Sequence, residues 1–156
     1  MREVEFVDTS VLLNILDVPG KNQDRERVVE ELREKTARGA QLIIPVSAVI
    51  ETGNHITNLP DGHSRRVCAE RFEKLLGAVA RDDFPWALHQ LDWGDRFLEK
   101  LCLGVAGTGS FVDCATQGLG CGDLAILVER ELFLERSAIT RARVWTLDEQ
   151  LAAYAA

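Results

Sequence analysis

The sequence predicts an α/β fold with a mostly parallel sheet. A short β-prone run, Val4 to Val7, opens the chain and gives way at once to helical spacing. Two later apolar runs, Gln41 to Val46 and Arg143 to Leu147, are each followed by a polar residue and a helical pattern. Strands that alternate with helices in this way belong to layered α/β architectures.

The elements follow in order. After Asp8-Thr9-Ser10, the residues Val11, Leu12, Ile15 and Leu16 keep a helical period until Pro19-Gly20 stops it. Asn22 to Arg38 is a strongly charged helix with a narrow apolar stripe at Val28, Val29 and Leu32, and Gly39 is its expected C-terminal cap. Gln41 to Val46 reads as a buried strand, with Ser47 as N-cap of a helix from Ala48 to about Thr57. A loop from Asn58 to His63 leads into a helix from Ser64 to Arg81, buried through Val67, Phe72, Leu75, Leu76 and Val79. Trp86 to Leu91 reads as a third strand, and Asp92 to Leu103 as a helix using Phe97, Leu98 and Leu101. Gly104 to Gly122 is glycine-rich and poorly periodic; as a phosphate loop it lacks the lysine that would reach the phosphates. A helix from Asp123 to about Glu135, a strand from Arg143 to Leu147 and a terminal helix from Asp148 to Ala155 complete the chain.

The 156 residues are enough for one domain, residues 1–156, with a real core, and 46% hydrophobic against 28% charged residues excludes disorder. No apolar run approaches a membrane span, and Met1-Arg2-Glu3-Val4-Glu5 lacks the pattern of a signal peptide, so a cytoplasmic protein is expected. Cys68, Cys102, Cys114 and Cys121 form no C-x-x-C pair and are expected as reduced, interior thiols; Cys114 and Cys121 have the wrong spacing for a common zinc motif. The net charge of −7 argues against non-specific nucleic-acid binding, although a catalytic acid cluster would account for four of those charges. The basic clusters Arg25–Arg38 and Arg65–Lys74 read first as solvated helix faces.

Ligands of parallel sheets bind beyond the carboxyl ends of the strands. Asp8 closes the first strand, Asp148 follows the last, Glu51 sits early in the helix after the second, and Asp123 begins a helix. Each acid alone is better explained by capping than by ligand binding. If they converged, each pair about 5 Å apart would repel by about 3 kcal/mol at an effective dielectric near 20. Protons or cations would have to neutralise such a cleft. An all-oxygen site suits Mg²⁺ or Mn²⁺ better than zinc, and such ions activate water for phosphodiester cleavage. Spacing alone leaves the convergence open.

Four motifs, in order and spanning nearly the whole chain, bear on that question. Phe6-Val7-Asp8-Thr9-Ser10-Val11-Leu12 resembles the opening motif of PIN domains. Ser47-Ala48-Val49-Ile50-Glu51-Thr52-Gly53-Asn54 resembles their second motif, Gly122-Asp123-Leu124-Ala125-Ile126-Leu127 the third, and Val144-Trp145-Thr146-Leu147-Asp148 the fourth. The resemblance implies a three-layer α/β/α fold with a central four- to five-stranded sheet. It implies a ribonuclease using Mg²⁺ or Mn²⁺, of the compact kind found as VapC-like toxins. Asp8 and Asp123 would be the central metal ligands, with Asp148 completing the site and Glu51 binding a second metal or orienting water. Thr9 or Ser10, and Thr146, would position the acids, and Asn54 would face the same way as Glu51. The partners implied are RNA, a second copy of the chain and a small antitoxin.

Some positions depart from the pattern. Gln150 stands where the family often has a further acid, and Asp113 is an extra acid in the glycine-rich stretch. His55, His63 and His89 read as a helix-surface, a loop and a strand residue, and a metal-bound hydroxide needs none of them as base. A phosphatase of the haloacid-dehalogenase type would need an acid at Ser10, and a response-regulator receiver would need paired acids and a late lysine. The main alternative is a PIN-like scaffold that binds RNA or a protein without cutting.

Overall fold

The computed structural model describes residues 2–105 and 107–156. Three strands form one parallel sheet in the order β2-β1-β3: β1 (Val4–Val7), β2 (Gln41–Ile43) and β3 (Arg143–Trp145). Phe6 lies opposite Ile43 on one side and Val144 on the other. Helices α1 (Thr9–Ile15) and α2 (Arg25–Ala37) connect β1 to β2. Between β2 and β3 come α3 (Val46–Thr57), α4 (Gly62–Ala80), α5 (Asp95–Leu103), α6 (Phe111–Gln117) and α7 (Cys121–Arg136). Helix α8 (Glu149–Ala152) follows β3.

The two-residue period of β1 sends its side chains to different cores. Val4 and Phe6 pack with Ile43, Ile126, Leu127 and Val144, so α7 covers that face. Val7 packs with Val11, Leu12, Val28, Leu42 and Trp145, so α1 and α2 cover the other. Glu5 is buried on the α2 side, where Lys35 Nζ meets both of its carboxylate oxygens at 2.8 Å and lies 4.9 Å from the Trp145 ring centroid. This acid is satisfied by its own cation and plays no part in the cleft below.

The sheet has three strands, not the expected four or five. Trp86–Leu91 is not a strand. It contributes one parallel bridge, Leu42 to Trp86, through Leu42 N–H to Pro85 O and Ala87 N–H to Leu42 O. The backbone then leaves the ladder, since Leu88 N–H donates to the Asp82 carboxylate. Strand β2 is shorter than expected because Pro45 has no N–H and serves as N-cap residue, with Val46 already helical. Ser47 is therefore no cap, and its hydroxyl donates to Gly122 O at 3.2 Å.

The glycine-rich stretch contains α6. Ser110 and Asp113 form a reciprocal capping box at its start, and Gly118 ends it with φ +82°. The terminal helix is a single turn, after which the chain lies along β3 and Val144 N–H donates to Ala155 O. All four thiols are free; Cys68 and Cys114 are buried as expected, whereas Cys102 and Cys121 are exposed. No helix among the described residues is long and apolar enough to cross a membrane.

Candidate functional site

Asp8 stands where β1 becomes α1. Its N–H donates to Trp145 O at 2.9 Å, which ties the end of β1 to the end of β3. It occupies the N-cap position of α1 but its side chain makes no capping bond. The buried carboxylate instead accepts two hydroxyl bonds at Oδ2, from Ser10 at 2.8 Å and Thr146 at 2.7 Å. Both hydroxyls also accept from the backbone leading to α8: Leu147 N–H donates to Ser10 Oγ and Asp148 N–H to Thr146 Oγ1, each at 3.0 Å. The two motifs at opposite ends of the sequence thus meet through shared hydroxyls.

Glu51 reaches the same place from α3, where Thr9 Oγ1 donates to its Oε2 at 3.1 Å. Gly122, in the first turn of α7, makes that approach possible. A Cβ there would lie 1.9 Å from Glu51 Oε1. Asp123 follows, half-buried near the start of α7, and that helix has no side-chain cap bond at its N-terminus. Burial pushes the Asp123 carboxyl up to about 7, and the charges of Asp8, Asp148 and Glu51 push in the same direction. Burial here outweighs the helix N-terminus, which favours a charged carboxylate. Asp8, Glu51 and Asp148 therefore all lie within electrostatic reach of Asp123. Asp148 is exposed and serves α8 as well: its Oδ1 accepts from Gln150 N–H and Leu151 N–H.

The chain matches no family model, no curated protein and no solved structure.

Asp8, Glu51 and Asp123 line an open cleft of about 330 Å³ with Thr9, Ser10 and Leu147. Among the described residues, no group of three or more His, Cys, Asp or Glu side chains is gathered closely enough to hold an ion as it stands. Ser10 and Thr146 bond Asp8, Thr9 bonds Glu51, and Asp148 caps α8. The acids are neighbours by charge without being closed around one point.

Of the expected supporting residues, Thr9, Ser10 and Thr146 bond the acids directly. Asn54 does not take that place. It is exposed and outside the cleft lining, which His55 joins instead. The spacing from Glu51 explains the difference, since on this helix the residue four places on shares the face more closely than the residue three places on. Asp113 is spent on its capping box. The α1–α2 connection supplies lining residues that the motifs do not reveal: Asn14, Lys21, Gln23 and Asp24. Asn14 holds that connection in place, donating to Ser10 O and accepting from Asp24 N–H. A buried amide on an otherwise apolar helix was its only sequence signal.

Proposed function

We propose that the cleft is the catalytic centre of a PIN-like, Mg²⁺- or Mn²⁺-dependent endoribonuclease. The observation that carries this reading is a group of four carboxylates from four separate elements, three of which add to burial in raising the Asp123 carboxyl. A fold that assembles such a group needs a counter-charge, and an oxygen-only donor set fits a hard divalent cation. Asp8, Asp123, Asp148 and Glu51 would hold it. When bound, such an ion supplies an acidified water and neutralises charge on the phosphodiester.

The chain's own groups have distinct tasks in this scheme. Ser10 and Thr146 orient Asp8, and Thr9 orients Glu51. Asp123, raised to about 7 by burial and its acidic neighbours, keeps a proton up to near-neutral pH while no cation is bound. Lys21 and His55 are the basic members of the cleft lining and face an incoming phosphate. Within the same reading, a second copy of the chain and a small antitoxin are partners for apolar residues left exposed, of which Leu103 at 77%, Val112 at 69% and Trp93 at 66% are the largest.

The test is incubation of purified protein with mixed RNAs and Mn²⁺, beside Asp8→Asn. The asparagine keeps an oxygen for both hydroxyl donors and removes one charge. The parent should cut and should melt higher with Mn²⁺ than in EDTA. The variant should not cut, should melt at least as high as the parent in EDTA, and should gain less from Mn²⁺. RNA binding without cleavage by the parent would favour the silent scaffold.

A further inference from the structure

Further along α7, Glu129 is a fully buried acid, 1% exposed and outside the cleft lining. Its Oε1 accepts the N–H of Val46 at 2.9 Å. Its Oε2 lies 3.6 Å from His89 Nε2, and neither of those two atoms has a hydrogen-bond partner. His89 is held edge-on against Phe6 and Phe133, each with a ring-centroid distance of 5.7 Å. Burial pushes both groups toward their neutral forms, Glu129 up to about 7 and His89 down to about 4. At 3.6 Å the two atoms face each other just beyond hydrogen-bond reach, so both stay unpaired.

A buried carboxylate is an expensive way to fill space, and an apolar side chain of similar volume would pack there at lower cost. What the carboxylate does is specific. Val46 is the first residue of α3, so its N–H is one of the donors a helix start leaves without an intrahelical partner. Glu129 satisfies it from α7. The helix carrying Glu51 is thereby tied to the helix carrying Asp123, and the Ser47 to Gly122 bond makes a second tie nearer the cleft.

We propose that Glu129 is a positioning residue for the acidic cleft: it fixes the start of α3 against α7 and so sets where Glu51 stands relative to Asp123. The proposal rests on the metal-dependent reading of the cleft for its functional meaning.

Two substitutions separate positioning from packing. Glu129→Gln keeps an acceptor for Val46 and gains a donor for His89. Glu129→Met keeps volume but offers Val46 nothing. Mn²⁺ affinity is measured by paramagnetic resonance titration for the parent, both variants and Asp8→Asn, and amide hydrogen exchange is followed over Val46–Ile50 without metal. Loss of a residue that supports metal ligands typically weakens binding by about 10- to 100-fold. Glu129→Met should fall in that range while still melting cooperatively, its α3 start should exchange faster, and Glu129→Gln should stay close to the parent in both. Parent-like Mn²⁺ affinity in Glu129→Met, where Asp8→Asn has lost it, overturns the proposal. If the parent itself binds no Mn²⁺, the metal-dependent reading falls instead. The positioning role is then decided by exchange alone: unchanged rates in Glu129→Met overturn it, and faster rates restored by Gln support it.

Discussion

A methyl group at Gly122 would first meet the carboxylate end of a flexible side chain, Glu51. Gly122 lies within α7, where alanine is favoured over glycine by about 1 kcal/mol. Gly122→Ala should therefore melt no lower than the parent while pushing the Glu51 carboxylate aside and weakening Mn²⁺ binding. A lower melt with unchanged Mn²⁺ binding would show that α7 yields and Glu51 does not. Asp123 makes a second residue-scale prediction. Its carboxyl lies at about 7 in the folded state against 3.8 for the unperturbed group, so between those values the folded protein binds the extra proton. Its contribution to stability is greatest below pH 3.8 and is lost as pH rises toward 7. His89, held at about 4, works in the opposite direction below its usual 6.5. The difference between parent and Asp123→Asn isolates the aspartate. In EDTA, denaturant melts should show the variant gaining on the parent as pH rises from 5 to 8; a difference independent of pH would contradict the raised carboxyl. The hydroxyls around Asp8 were legible because the first and fourth motifs carry them, Ser10 in one and Thr146 in the other. Glu129 and His89 were not, because a glutamate within a helix and a histidine in an alternating run both look like surface positions until their distant partners are known.

At the scale of elements, α8 separates two roles of one residue. Asp148 Oδ1 caps the helix while the same carboxylate adds to the charge felt by Asp123. Asparagine caps as well as aspartate does, and alanine does not. Asp148→Asn should thus keep the parent's stability and weaken Mn²⁺ binding, whereas Asp148→Ala should lose about 1 kcal/mol in addition. Equal Mn²⁺ affinity in parent and Asp148→Asn would leave this acid as a cap only. The strands β1 and β3 and the long helices could be read from period and composition. The run Trp86–Leu91 misled because alternation describes side chains and says nothing of whether the backbone has a neighbour to pair with. Helix α6 was hidden by the surrounding glycines, although Ser110-x-x-Asp113 carried the signature of a helix start.

At the scale of the whole molecule, β1 and β3 bring Asp8 and Asp148 to one end of the sheet, and α3 and α7 bring Glu51 and Asp123 to it. The order of strands follows from burial: β1 is buried along its whole length and can only be central. The convergence itself was beyond the reach of spacing, since it depends on how closely α3 and α7 pack at a glycine. One bond far from the cleft has a bearing on how the protein behaves in solution. Val144 N–H is turned away from β1 and is occupied by Ala155 O. The returning chain acts as a cover strip over an outer strand whose open donors and acceptors would otherwise be a template for another chain. A variant ending at Ala152 loses that cover while keeping Asp8, Glu51, Asp123 and Asp148. It should associate beyond the parent with rising concentration, as read by light scattering, through strand-to-strand docking. An unchanged mass profile would mean that this outer strand is protected by something other than its own tail.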